Sequence, residues 1–360
     1  VEIRLEHTKP SELPAAALAE TPIYRGGEQL QPWQRSFVTM FLQHRETYGK
    51  ARLLLADEVG VGKTLSLAAS AMISALLDDG PVLILCPSTL TMQWQVELAD
   101  KLGIPSAVWS SAKKVWIDPK GHVIKTRGPE DIARCPFHIA IVSTGLIVHD
   151  SSERQYLLER KYGTVVLDEA HKARRRGGLG QKKQEPNNLL EFMFRIGDRT
   201  RNLLLGTATP IQTEVQEVWD LLRILNSGAD FVLGREMFGR WPDWERALTF
   251  VKGEEVPSDD RDAWEWLRNP LPPGEEDPLF ATLRLQIGLP NQVFFTDRGF
   301  GSLGYLEQQA VGQALAPGFL REHNPIVRHT VLRRRQTLEE AGLLEKVGVD
   351  VHPDPDAPAT

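Results

Sequence analysis

The run Asp57-Glu58-Val59-Gly60-Val61-Gly62-Lys63-Thr64 follows a short apolar stretch and opens a helix-period one. Glycines at 60 and 62 allow backbone N–H groups to approach an anion closely, and the helix start behind them favours negative charge. Lys63 is placed to reach the β- and γ-phosphates of a nucleotide, and the Thr64 hydroxyl to ligate Mg²⁺. A second run, Val165-Val166-Leu167-Asp168-Glu169-Ala170-His171, is an apolar strand that delivers adjacent carboxylates at its C-terminal end. In a parallel sheet that is where ligands bind. Asp168 suits Mg²⁺, directly or through water, and Glu169 suits orienting and deprotonating an attacking water. His171, on the next turn, is placed to sense the state of the γ-phosphate. A third run, Leu205-Gly206-Thr207-Ala208-Thr209-Pro210, also ends a strand. Thr207 and Thr209 could hydrogen-bond the acidic run and relay nucleotide state. Taken alone, such a string often just caps a helix.

Strands and helices in alternation must carry these runs. Strands are expected at Arg52–Ala56, Pro81–Cys86, His138–Ser143, Thr164–Asp168 and Asn202–Gly206, four of the five near-continuous in Val, Ile and Leu. Helices are expected at Gln31–Tyr48, Lys63–Leu77, Leu90–Leu102, Leu189–Ile196 and Glu214–Leu225. The alternation predicts an α/β fold, a parallel sheet with helices on both faces. Val115–Ile117 and Val123–Lys125, around Asp118-Pro119-Lys120-Gly121, read as a surface hairpin.

After Asn226 the character changes. Pro and Gly scatter through 229–320, with an acidic stretch from Glu254 to Asp262. Trp241, Trp244, Trp264 and Trp266 are read as the small core of a mostly helical insertion rather than as a base-stacking surface. The expected division is a RecA-like lobe at 1–228, an insertion at 229–335 leading to an inter-lobe linker, and a linker or disordered tail at 336–360.

Composition excludes little. The 360 residues are 41% hydrophobic and 25% charged, with a net charge of −6. That balance argues against bulk electrostatic coating of nucleic acid but leaves room for a local basic groove. No run approaches eighteen apolar residues, so no membrane span is expected. Cys86 and Cys135 are too few and too far apart for a zinc site and read as buried thiols of a reducing compartment. The chain starts at Val1 with no signal-peptide pattern, consistent with a piece of a longer protein.

The three runs, in this order and spacing, resemble helicase superfamily two. The details look most like the SWI/SNF-like translocases, including bacterial RNA-polymerase-associated and phage-defence (DISARM-type) relatives. Asp57 stands where the general phosphate loop wants Gly, and a loop counted from Ala56 is similar to the helicase variant. Leu83 to Leu90, with Gln93-Trp94 following, resembles the family segment that touches the DNA backbone. Leu30-Gln31-Pro32-Trp33-Gln34 resembles its glutamine motif, which implies that Gln34 reads the adenine edge. The resemblance implies that Asp57 to Thr64, Asp168 and Glu169 bind ATP·Mg²⁺. It also implies that Pro87, Ser88, Thr89, Ser143 and Thr144 contact double-stranded DNA, although these hydroxyls could equally be helix caps. His329 to Arg335 is similar to the segment leading towards a second RecA-like lobe. The triplets Arg174–Arg176 and Arg333–Arg335 stay open between solvated runs and DNA contacts.

In such motors the second lobe supplies arginines that stabilise the transferring phosphate. After Arg335 no second phosphate-type lobe is found, so slow unaided hydrolysis is expected. The implied function is the first motor lobe of a DNA translocase, cytoplasmic and nucleoid-associated, or nuclear in a eukaryote. A nucleotide-gated binding module and an RNA helicase lobe are the alternatives.

Overall fold

The computed structural model describes residues 29–176, 185–209, 216–315 and 319–344. Eleven strands run in chain order: β1 Arg52–Leu55, β2 Val82–Cys86, β3 Ser106–Ser110, β4 Val115–Ile117, β5 Val123–Ile124, β6 Ile139–Ser143, β7 Tyr162–Asp168, β8 Arg175–Arg176, β9 Glu185–Pro186, β10 Thr200–Gly206 and β11 Thr330–Val331. Nine of them form one sheet in the order β11-β1-β10-β7-β2-β6-β3-β4-β5, while β8 and β9 pair separately. From β11 to β3 every pairing is parallel, and β4 and β5 add an antiparallel edge. The predicted hairpin therefore exists, but it extends the sheet through β3, a strand the sequence reading did not mark.

The apolar strands are buried on both faces, and alternate residues go to opposite sides. Leu54, Leu83, Leu85, Val165, Leu167, Leu203 and Leu205 face one core cluster. Leu53, Leu55, Ile84, Cys86, Val166 and Leu204 face the other. The second face is covered by α1 (Pro32–Tyr48), α2 (Lys63–Leu76) and α3 (Thr91–Val96), with a π turn at Glu97–Lys101 where the predicted helix ran on to Leu102. The first face is covered by α4 (Thr144–Val148), α5 (Ser152–Glu159), α6 (Asn188–Gly197) and α7 (Gln216–Asn226). Helices on both faces of a parallel sheet match the RecA-like expectation. Each buried Leu, Ile or Val contributes about 1.5–3 kcal/mol, so this doubly covered sheet dominates stability.

α1 begins with Pro32 and a reciprocal cap between Gln31 and Gln34, and ends where Gly49 turns left-handed. α2 is buried from Leu65 to Ser74, as its Ala- and Ser-rich composition permits. At the sheet edge away from α2's N-terminus, Asp79 gathers Arg45 (2.8 Å), Arg201 (2.7 Å) and Asn202 (2.9 Å).

Residues after α7 form α8 (Trp244–Lys252), α9 (Asp260–Leu267), α10 (Pro278–Ile287), α11 (Tyr305–Ala314), α12 (Phe319–Glu322), α13 (Pro325–His329) and α14 (Arg335–Glu340). Trp241, Trp264 and Trp266 are fully buried and Trp244 is half-buried, but they do not make a separate small core. They belong to the same cluster as the lobe's first face, and the Trp219 indole N–H donates to the Trp241 carbonyl at 2.9 Å. A second correction concerns the chain beyond the insertion. β11 returns to pair with β1, and α14 packs Leu338 against Trp33 and Val61, so residues 330–344 are built into the lobe. Residues 345–360, including the tail from His352, lie outside the described residues, as do Pro210 and most of the basic loop at 177–184.

Candidate functional site

Register places the chemical residues along one edge of the sheet. Leu55 aligns with Gly206, Gly206 with Asp168, Leu85 with Leu167, and Cys86 with Ser143. All three chemical runs and the segment after β2 therefore leave the sheet side by side at the C-terminal ends of parallel strands.

The loop after β1 turns on two glycines with left-handed backbone, Gly60 (φ 82°) and Gly62 (φ 83°). A Cβ at Gly62 would lie 2.6 Å from Nε2 of Gln34, so the end of that side chain would have to shift. The Lys63 ammonium curls back to donate to the carbonyls of Asp57 (2.7 Å) and Glu58 (3.3 Å). Burial lowers its pKa, opposed by the nearby Asp57, Asp168 and Glu169 carboxylates. Among the described residues this cation is held by carbonyls of its own loop, at a helix N-terminus beside two acids, a setting that fits a bound phosphate–Mg²⁺ group. Thr64 follows in the first turn of α2.

Asp168 is buried, and burial raises its pKa. Its Oδ1 accepts the Glu169 backbone N–H (2.9 Å), and its Oδ2 accepts the Trp94 indole N–H (2.9 Å). Glu169 adopts a left-handed backbone (φ 54°), rare outside glycine, where β7 ends and the chain turns sharply. Its carboxylate lies 3.2 Å from Nδ1 of His171. The same Nδ1 is 3.0 Å from the Thr207 hydroxyl, whose oxygen accepts the Thr209 N–H (3.1 Å). Burial lowers the His171 pKa and favours the neutral ring. The acidic and Thr-containing runs are thus joined through His171.

Other expected residues sit differently. Gln34 touches the loop from outside, donating to the Gly62 carbonyl (3.2 Å) while its own oxygen accepts the Gln31 N–H (2.9 Å). Val59 is 77% exposed at the loop tip. Glu58 points away from Lys63, and its carboxylate accepts the Arg335 N–H (2.8 Å). Asp57 is fully buried with no hydrogen-bond partner on either carboxylate oxygen among the described residues. The Arg333 guanidinium stands 3.6 Å from it. Burial pushes the Asp57 pKa up to about 6, against the pull of Arg333 and Lys63.

Along the same edge, Ser88 and Thr89 are exposed beside a half-buried Pro87. The Ser143 hydroxyl caps α4 by accepting the Gly145 N–H (3.2 Å), and Thr144 is only 5% exposed. Of the hydroxyls expected to face DNA, those at 88 and 89 are exposed, that at 143 is half-buried and caps α4, and that at 144 is buried. The arginine triplets resolve in part. Arg175 pairs with Asp220 (3.0 Å), and Arg333 also donates to the Trp33 carbonyl. Arg174 and Arg334 are exposed, so each triplet is mixed.

The loop after β1 is clamped from both sides, which no motif in the sequence marks. The Trp33 indole donates to the Val61 carbonyl (2.9 Å) from one side. From the other, Ala56 N–H donates to the Val331 carbonyl (2.7 Å) and Glu58 N–H to the Arg333 carbonyl (3.1 Å). The apolar Val331 and Leu338 spacing was the available signal, but it is too short to mark a strand.

The sequence matches the SNF2-related domain family over residues 33–260. It is 33% identical over 184 residues to the chromatin-remodeling ATPase INO80 of Neosartorya fischeri, covering 48% of this chain and 9% of that protein. It is 29% identical over 224 residues to Helicase SWR1 of Eremothecium gossypii, covering 61% of this chain and 13% of that protein. The chain thus spans 9% to 13% of the length of these relatives. Among solved structures, the Sulfolobus solfataricus SWI2/SNF2 ATPase core in complex with dsDNA is similar at 20% identity and a TM-score of 0.44, covering 64% of this chain and 41% of that one.

Proposed function

We propose, from the premise that this chain belongs to the SNF2-related domain family, that it is the ATP·Mg²⁺-binding first lobe of a double-stranded DNA translocase. One observation carries the reading: Lys63, Asp168, Glu169 and the His171–Thr207 link converge at the C-terminal edge of one parallel sheet. Lys63 leaves the carbonyls of Asp57 and Glu58 to meet the β- and γ-phosphates. The Thr64 hydroxyl and the Asp168 carboxylate would hold Mg²⁺, which would supply positive charge against the charge that develops on the transferring phosphate. Glu169 orients a water and accepts its proton. Through Nδ1 of His171, a change at Glu169 reaches Thr207 and Thr209. Gln34 reads the adenine edge once its amide releases the bonds to Gly62 and Gln31.

Duplex DNA is read by backbone contacts at Pro87, Ser88 and Thr89, which carry no sequence information. A second RecA-like lobe closes over this edge and supplies the arginine that the phosphate transfer requires. Hydrolysis in the absence of that lobe is slow. The setting consistent with this partner is the nucleoid, or the nucleus in a eukaryotic host.

The test is ATP turnover by the parent chain and by Glu169→Gln, each with and without duplex DNA, with RNA as competitor. Expected are weak turnover stimulated by duplex DNA, and its loss in Glu169→Gln with nucleotide binding retained. Turnover unaffected by Glu169→Gln would overturn the reading.

A further inference from the structure

Trp94 is 1% exposed within the core cluster on the α1–α2 face of the sheet. Packing alone would be met by any large apolar ring. Its one polar atom, however, reaches the nucleotide edge, where the indole Nε1–H donates to Oδ2 of Asp168 at 2.9 Å. The other oxygen, Oδ1, accepts the Glu169 N–H at 2.9 Å. Each carboxylate oxygen offers two lone pairs, so one donor on each leaves a lone pair per oxygen for a metal or its water. Gripped on both oxygens, the carboxylate cannot turn without breaking a bond. The indole is a donor only, so it cannot exchange roles as a hydroxyl could.

Trp94 also belongs to α3, whose first residue is tied back to the exposed turn before it. The Thr91 hydroxyl donates to the Ser88 carbonyl at 3.0 Å. We propose that Trp94 is a positioning residue for the metal carboxylate: its indole N–H fixes the Asp168 orientation that accepts Mg²⁺ and joins that carboxylate to the helix leaving the Ser88–Thr89 turn. The inference rests on the reading of Asp168 as a metal ligand.

The test is Trp94→Phe, which keeps an aromatic ring in the core and removes the donor together with part of the indole's bulk. Affinity for a fluorescent ADP analogue is titrated with and without Mg²⁺, beside the thermal midpoint. Expected is unchanged Mg²⁺-free affinity, with Mg²⁺-dependent tightening reduced about tenfold, the lower end of the effect of removing a partner that orients a metal ligand. A space-filling role would lower the midpoint and leave the Mg²⁺ response intact, and that result overturns the proposal. If the parent chain itself shows no Mg²⁺ response, the metal reading of Asp168 falls and this inference falls with it. Should Trp94→Phe not fold, the parent is labelled with ¹⁵N-tryptophan. The indole resonance that moves in Asp168→Asn is then followed. It must shift with Mg²⁺ plus ADP and not with ADP alone, and an unmoved resonance overturns the proposal.

Discussion

Nδ1 of His171 stands 3.0 Å from the Thr207 hydroxyl and 3.2 Å from a Glu169 carboxylate oxygen. That one ring atom joins the ends of neighbouring strands β7 and β10. Thr207→Val removes the hydroxyl at nearly constant shape. Nucleotide affinity should stay within about twofold, and DNA-stimulated turnover should fall about tenfold, equivalent to roughly 1.4 kcal/mol. Steady-state ATP hydrolysis against duplex DNA concentration checks this, and parallel losses in binding and turnover would count against a relay.

Lys63 donates to two carbonyls of its own loop and so is already turned towards the space a phosphate would take. Lys63→Ala should weaken ATP binding by at least tenfold, on the order of 1.4 kcal/mol or more. Lys63→Arg should not restore it, because a planar fork does not replace a compact ammonium in a tight loop. Fluorescence titration with an ATP analogue reads both.

Asp57 gives a pH signature. Burial raises its pKa from the ordinary 3.8 to about 6, despite the facing Arg333 and Lys63 cations. Between those values the folded chain holds more of this proton than the unfolded one does, so the stability from this group falls as pH rises. It is fully present below about 3.8 and lost above about 6. Asp57→Asn has no such term. The stability of Asp57→Asn relative to the parent should therefore grow from about pH 4 to pH 6 and then level off. Thermal midpoints across that range decide it, and a pH-independent difference would contradict the burial argument.

Arg333 faces Asp57 at 3.6 Å and also donates to the Trp33 carbonyl. Arg333→Ala leaves the carboxylate buried without that counter-charge. The expected cost is about 2 kcal/mol, below the range for fully buried pairs because the guanidinium keeps some solvent contact. Tm should drop by several degrees at pH 7.5 and by less at pH 5, where Asp57 is largely protonated. An equal drop at both pH values would place the effect in packing alone.

Much of this was legible from residue order. Long apolar runs announce doubly buried strands, and the motif ends of β1, β7 and β10 follow from their chemistry. Ser106–Ser110 escaped because its alternation, with serines at both ends, is weak. Thr330–Val331 escaped because two residues carry no period at all. The arginine triplets could not be placed by composition, since burial beside Asp57 or Asp220 depends on contacts between distant segments. Trp94 was readable only as part of a motif string. That its N–H reaches Asp168 is a fact of three-dimensional placement.

β11 has a practical meaning. It supplies the outer neighbour of β1, with Ala56 N–H bonded to the Val331 carbonyl, yet it lies some seventy residues beyond the stretch that matches the family, 33–260. A protein trimmed to that matched stretch would bare the flank of an apolar strand, an invitation to pair with other molecules. It would also strip one wall from the phosphate loop. Such a fragment should clump during purification and grip nucleotide poorly, even with every motif residue intact.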